Sequence, residues 1–125
     1  MNYHEKFKTL TNLLLSKENQ NKFITFENAC KILTILSAIN DLKQARFCFT
    51  QLIKKEIIKS LNLDQVKVFA NNLGTFVSTY GWSAVKDLIL NLTYPVFTQE
   101  NILINCYVAK VLIVLNYNVN KLTIN

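Results

Sequence analysis

Turn-forming residues are what this chain lacks most: it has 2 glycines and 1 proline in 125 residues. Sandwiches, barrels and doubly wound sheets reverse direction every few residues. Each tight reversal favours Gly for a positive φ or Pro for a preset one. A sequence this poor in both predicts long helices joined by a few polar breaks. The same shortage removes the Gly-rich phosphate loops of mononucleotide- and dinucleotide-binding folds. At 14.4 kDa, 50% hydrophobic and with a mean hydropathy of +0.18, the chain can bury one core, and it is read as a single domain over residues 1–125.

Helical spacing recurs along most of the sequence. Tyr3, Phe7, Leu10, Leu13 and Leu14 stand three and four residues apart over residues 2–16. The polar run Ser16–Lys22 reads as a surface loop, after which Thr25 is placed to cap a second helix from Phe26. Ala29, Ile32, Leu33, Leu36 and Ile39 give that helix a broad apolar face, and Asn40-Asp41 bends the chain. Phe47, Phe49, Leu52, Ile53, Ile57 and Ile58 predict one shorter helix or two. Asn62 or Asp64 caps the next, with Val66, Val68, Phe69 and Leu73 on its apolar side. Leu73, Phe76, Val77, Tyr80, Ala84, Leu88 and Leu92 then form one long stripe, predicting a helix over 72–92 that Thr93-Tyr94-Pro95 stops.

Thr98 can cap a last helix reaching about Tyr117. Between Ile102 and Leu115 only Asn105 and Lys110 interrupt the apolar residues. A helix hydrophobic nearly all round belongs inside a bundle or a bilayer. This one falls short of the roughly 20 residues a span needs, so the centre of a globule is expected. Its β-branched residues keep a strand open as the competing reading. There is no internal repeat.

The charge balance is basic, with 14 cations against 8 acids, net +6 and a pI near 9.3. The excess is spread out, and its one cluster, Lys54, Lys55 and Lys59, contains Glu56. A solvated helix face is the plain reading of that cluster, with weak phosphate or lipid contact as the alternative. Arg46 is the sole arginine, which argues against base reading in nucleic acid, and no nucleic-acid partner is expected. The only histidine, His4, lies near the end of the chain and offers little for acid–base catalysis. Cys30, Cys48 and Cys106 are odd in number and widely spaced, which gives neither a disulfide framework nor a zinc site. They read as buried thiols of a reducing compartment. Asp41, Asp64, Asp87 and Glu100 show no pairing that spacing can assert, so no catalytic residue, metal or cofactor is assigned. A polar start and no bilayer-length apolar run lead us to expect a soluble cytoplasmic protein without a membrane span.

Two segments resemble motifs of the Bcl-2 family of apoptosis regulators. Asn72-Leu-Gly-Thr-Phe-Val-Ser-Thr-Tyr-Gly-Trp-Ser83 resembles the first homology motif. Asn72 and Gly74 keep its core spacing, Val77 and Ser78 take its apolar and small positions, and Trp82 takes the later aromatic one. Leu73 stands where Trp is usual and Thr75 where Arg is usual. Upstream, Ile32, Leu36, Ile39 and Asp41 match the third homology motif, BH3, with Asn40 at the customary Gly. The second homology motif and a C-terminal membrane anchor are missing, a combination most similar to the shortened viral Bcl-2-like proteins.

The resemblance implies an all-α, Bcl-2-like bundle in which helices bearing residues 72–92 and 98–117 form a central hydrophobic hairpin surrounded by amphipathic helices. It also implies recognition rather than catalysis: an inhibitor of apoptosis that sequesters BH3 helices of pro-apoptotic Bcl-2 proteins in a surface groove. Aligned on the motifs, the groove draws on Phe47, Leu52, Val66, Phe69 and Val77, with Asn72 and Gly74 at the start of the fifth helix. Thr75 takes the place of the family Arg that pairs with the ligand's Asp, a contact worth about 1.5–3 kcal/mol. Its loss leaves three outcomes: a nearby Lys substitutes, the ligand range narrows, or the chain serves other partners such as those of inflammatory signalling. A homodimer through the groove edge or the helix faces, and a peripheral position at mitochondria, also accord with the resemblance. Outside the family, the alternative is a small basic helical domain that binds nucleic acid.

Overall fold

The computed structural model describes residues 3–14, 24–93 and 98–110, and all regular structure among them is helical. The helices are α1 (Tyr3–Leu14), α2 (Phe26–Ala38), α3 (Leu42–Leu52), α4 (Glu56–Lys59), α5 (Leu63–Tyr80) and α6 (Trp82–Thr93). A further helix, α7, is described over residues 99–110. The all-α class is the one that the scarcity of turn residues predicts.

Polar side chains start most of these helices. Thr25 accepts from the Asn28 N–H at 3.2 Å to cap α2, and Asp41 accepts from the Gln44 N–H at 3.1 Å to cap α3. Asn62 and Gln65 form a reciprocal capping box at α5, with bonds of 2.9 and 3.0 Å, and Thr98 accepts from the Asn101 N–H at 3.1 Å. Each cap satisfies a donor that the helix geometry leaves unpaired, and is worth about 1 kcal/mol. The bend between α2 and α3 is made by Asn40 at φ 53, a conformation its short polar side chain tolerates.

Helix α5 organises the rest. Val66, Phe69, Ala70, Leu73, Gly74, Phe76 and Val77 are all buried, an arc covering nearly half of its circumference. Among α1–α6 the most extensive pairing is α5 on α2; α6 also packs on α5, α3 packs on α6, and α2 packs on α3. These four helices therefore close a ring around a shared core, and α1 packs against α2 and buries Phe7. Phe49 stacks on Phe76 with ring centres 5.2 Å apart, and Tyr80 meets Phe76 edge-on at 5.3 Å. The Tyr80 hydroxyl donates to the Leu36 carbonyl, tying α5 to the last turn of α2. Burial holds that phenol above its ordinary pKa.

Two expectations are corrected. The apolar stripe over 72–92 is not one helix. Gly81 ends α5 at φ 91 and ψ 143, its N–H reaching the Val77 carbonyl at 2.7 Å, and α6 begins one residue later. The stripe is continuous because both helices face the same core, and periodicity alone does not report the break. Nor is the apolar run from Ile102 surrounded over its described part. Ile104 and Val108 are buried, while Ile102 is 52% exposed and Cys106 and Ala109 are also exposed. Among α1–α6 the broadest buried face belongs to α5, and over its described part the run from Ile102 is amphipathic. The strand reading fails over 99–110, which are helical. The Ser16–Lys22 loop, the Tyr94-Pro95 stop and the stretch from 111 to 117 lie outside the described residues. Among those described, no helix is long and apolar enough to cross a membrane.

The junction gives a clean prediction. No atom lies within 4 Å of where a Cβ on Gly81 would sit, so the cost of Gly81→Ala is torsional rather than steric. It should be about 1–3 kcal/mol, the range for a residue held in a Gly-only backbone region. Urea denaturation is expected to show a lower midpoint with an unchanged slope. Phe76→Ala, which removes the shared ring of both aromatic contacts, should cost more, about 3–5 kcal/mol.

Candidate functional site

The residues that the motif alignment assigns to a groove are dispersed. Leu52 is 4% exposed, Val66 1%, and Phe69 and Val77 0%; these four are core, and none of them lines the hollows described below. Phe47 is the opposite case, 58% exposed on the side of α3 away from that core. Gly74 is buried and Thr75 exposed, the Thr75 hydroxyl returning to the Asn71 carbonyl at 3.1 Å. Asn72 is half-buried. Its amide donates to the Val68 carbonyl at 2.9 Å, and its Oδ1 lies 3.4 Å from the Thr34 hydroxyl on α2. Asn72 and Gly74 sit in the middle of α5 and not at a helix start, because the Asn62–Gln65 capping box begins that helix upstream. The close approach of a partner backbone expected at Gly74 therefore has no surface to act on.

The surface offers a different site, along α6. Arg46 on α3 grips Asp87 on α6 with two N–H···O bonds of 2.8 and 2.6 Å, and also donates to the Ala84 carbonyl at 2.8 Å. This two-pronged contact holds the Asp87 carboxyl below its ordinary range and raises the Arg46 guanidinium above its own. Next to this clasp, a hollow of 170 Å³ opens between the end of α3 and α6. Its floor is Phe49, Ile53, Leu88 and Leu92, and its edges are Thr50, Asn91, Lys54 and Lys55. A second hollow of 130 Å³ shares Lys55 and Leu92 with the first and reaches α4 and the start of α7. Ile58 and Thr93 lie beneath it, with Glu56, Lys59 and Glu100 around it. Thr93 is spent internally, its hydroxyl donating to the Ile89 carbonyl at 3.1 Å.

Size decides what this furrow can take. Each hollow is close to the roughly 150 Å³ that accepts one benzene-sized group. Both fall short of the about 300 Å³ at which small-molecule sites begin. Single side chains of another polypeptide fit; a cofactor does not. The thiols differ from expectation: Cys48 is buried, Cys30 is half-buried and Cys106 is exposed. Desolvation pushes the Cys30 thiol up in pKa, away from the reactive thiolate. No cluster of His, Cys, Asp and Glu among the described residues could hold a metal ion.

Sequence reasoning flagged the Lys54, Lys55 and Lys59 cluster, and these are the furrow's cations. It missed the clasp, because Arg46 and Asp87 are 41 residues apart and only the α3–α6 packing brings them together. No family model, curated protein or solved structure matches the chain.

The clasp is testable through stability. Its side chains are 36% and 52% exposed, so solvent screening limits Arg46→Met to about 0.5–1 kcal/mol at neutral pH. Since the folded pKa of Asp87 is depressed, its contribution is present above the ordinary carboxylate pKa and lost as pH falls through the depressed value. The gap between wild type and Arg46→Met in urea melts should be full at pH 7 and shrink below about pH 4.

Proposed function

We propose that the protein is a helical interaction module that binds an amphipathic helix of another protein along the furrow between α3–α4 and α6–α7. We further propose that its ligands are BH3 helices of pro-apoptotic Bcl-2 proteins, which makes it an inhibitor of apoptosis. One observation carries the binding mode: two adjoining hollows on the surface of the bundle, each sized for one side chain, the first floored by apolar residues and the second by Ile58 and Leu92 within a polar rim. An amphipathic helix presents its anchors at i and i+3 or i+4, which suits neighbouring hollows. The BH3 assignment is supported by the motif resemblance of Asn72–Ser83 and Ile32–Asp41. Within that resemblance Ile32, Leu36 and Ile39 are buried in α2 and the turn after it, so the chain's own BH3-like segment is part of the scaffold and not a ligand.

A second reading, a Bcl-2-like modulator of inflammatory signalling that acts through outer helix faces, is favoured by a separate observation. Phe47 on α3 and Val68 on α5 are 58% and 46% exposed, large apolar groups that none of the described helices covers.

A fluorescence titration with a panel of BH3 peptides is expected to give saturable binding in the micromolar range or tighter. Asn91→Trp sets a bulky ring across the mouth of the first hollow from an exposed position, and should weaken binding about tenfold with the melting temperature unchanged. Val68→Arg, outside the furrow, should leave it intact. Charges at Gly74 or Val77 make poor probes because both residues are core. No binding by any BH3 peptide would remove the BH3 assignment. A dampened inflammatory reporter that is lost on Phe47→Glu would then favour the second reading.

A further inference from the structure

The furrow's edge carries a charge pattern that deepens the binding mode proposed above and rests on it. Lys54 and Lys55 stand over the first hollow, and no carboxylate lines it. The nearby acid on α6, Asp87, is already held by Arg46. Lys54 donates one N–H to the Thr50 carbonyl at 2.9 Å and keeps its charge and two more donors. The Lys55 ammonium has no ion pair among the described residues. At the second hollow the pattern is mixed, with Lys59 beside Glu56 and Glu100.

From this we infer that the docking segment is an acidic amphipathic helix. Two apolar side chains about one turn apart fill the hollows, and Asp or Glu residues of the partner lie over Lys54 and Lys55. The contacts form at the margin of an apolar floor, where cations select partners and steer their approach. An anionic lipid headgroup or a nucleic-acid phosphate would meet the same lysines, yet would leave the hollow over Phe49, Ile53, Leu88 and Leu92 unfilled by any apolar group. The uneven charge also orients the segment. Its most acidic end belongs at the α3–α4 turn, and its neutral or mixed end toward α7.

The test uses the full chain and two designed peptide helices with the same leucine pair at i and i+4. One carries flanking glutamates and the other lysines at those positions. Both are titrated at low and at physiological salt, beside vesicles of phosphatidylserine in phosphatidylcholine. The acidic helix is expected to bind and to weaken as salt rises. The double variant Lys54→Glu, Lys55→Glu should weaken it about tenfold and gain affinity for the lysine helix. That exchange of preference cannot come from misfolding. Equal binding of both helices, no binding of either, unchanged binding by the double variant, or retention on the vesicles alone would each overturn the inference. If BH3 peptides fail while the charge exchange appears, only the BH3 assignment falls. If BH3 peptides bind wild type and double variant alike, the assignment stands and the acidic requirement falls.

Discussion

Because α5 hides nearly half of its surface, it needs cover from more than one side, and the remaining helices are arranged to provide it. Ordering a backbone residue costs about 1–2 kcal/mol, and burying a large apolar side chain returns about 1.5–3 kcal/mol. A helix with a narrow apolar stripe recovers little beyond that cost. The broad arc from Val66 to Val77 recovers more, but only when α2 and α6 both lie against it and α3 closes the gap between them. On the far side of α5, Thr75, Ser78 and Thr79 return their hydroxyls to the carbonyls four residues back. These three hydroxyls are thus turned inward onto the helix backbone.

Much of this bundle could be read from the residues. Thr25, Asn62 and Thr98 cap the helices they were expected to cap, and Asn40-Asp41 does bend the chain. These are local devices, written in a few adjacent residues. What could not be read depends on which helix meets which. Uniform hydrophobicity suggested that the run from Ile102 is buried all round, whereas its described part has an exposed side that includes Ile102 and Cys106. Asn72 and Gly74 looked like a helix start on motif grounds, but the capping chemistry of Asn62 had already begun the helix. Gly81 shows the limit of periodicity: two helices that share a core look like one.

The site shows the same division. Apolar residues aligned by motif, such as Leu52, Phe69 and Val77, are what a core needs, so pattern alone does not separate a floor from an interior. The lysine cluster after α3 was visible, since charge need not await folding to be counted. Its meaning came from packing, which set Leu88 and Leu92 of α6 beneath it. A binding surface in a small bundle is made of seams, and seams are tertiary.

The single-residue joint between α5 and α6 has a mechanical consequence. Helix α6 has 12 residues, about 18 Å at 1.5 Å each, and pivots only through the two torsions of Gly81. A swing of about 10° there carries its far end about 3 Å, roughly the breadth of a methyl group. Leu88, Asn91 and Leu92 ride on that outer half, where leverage is greatest, while Asp87 is tethered to Arg46 midway along the arm. Widening the seam is therefore a rotation opposed by this tether and by the burial of Val85, Leu88, Ile89 and Leu92, so a bulkier inserted side chain must be met by those four side chains repacking along the same arm.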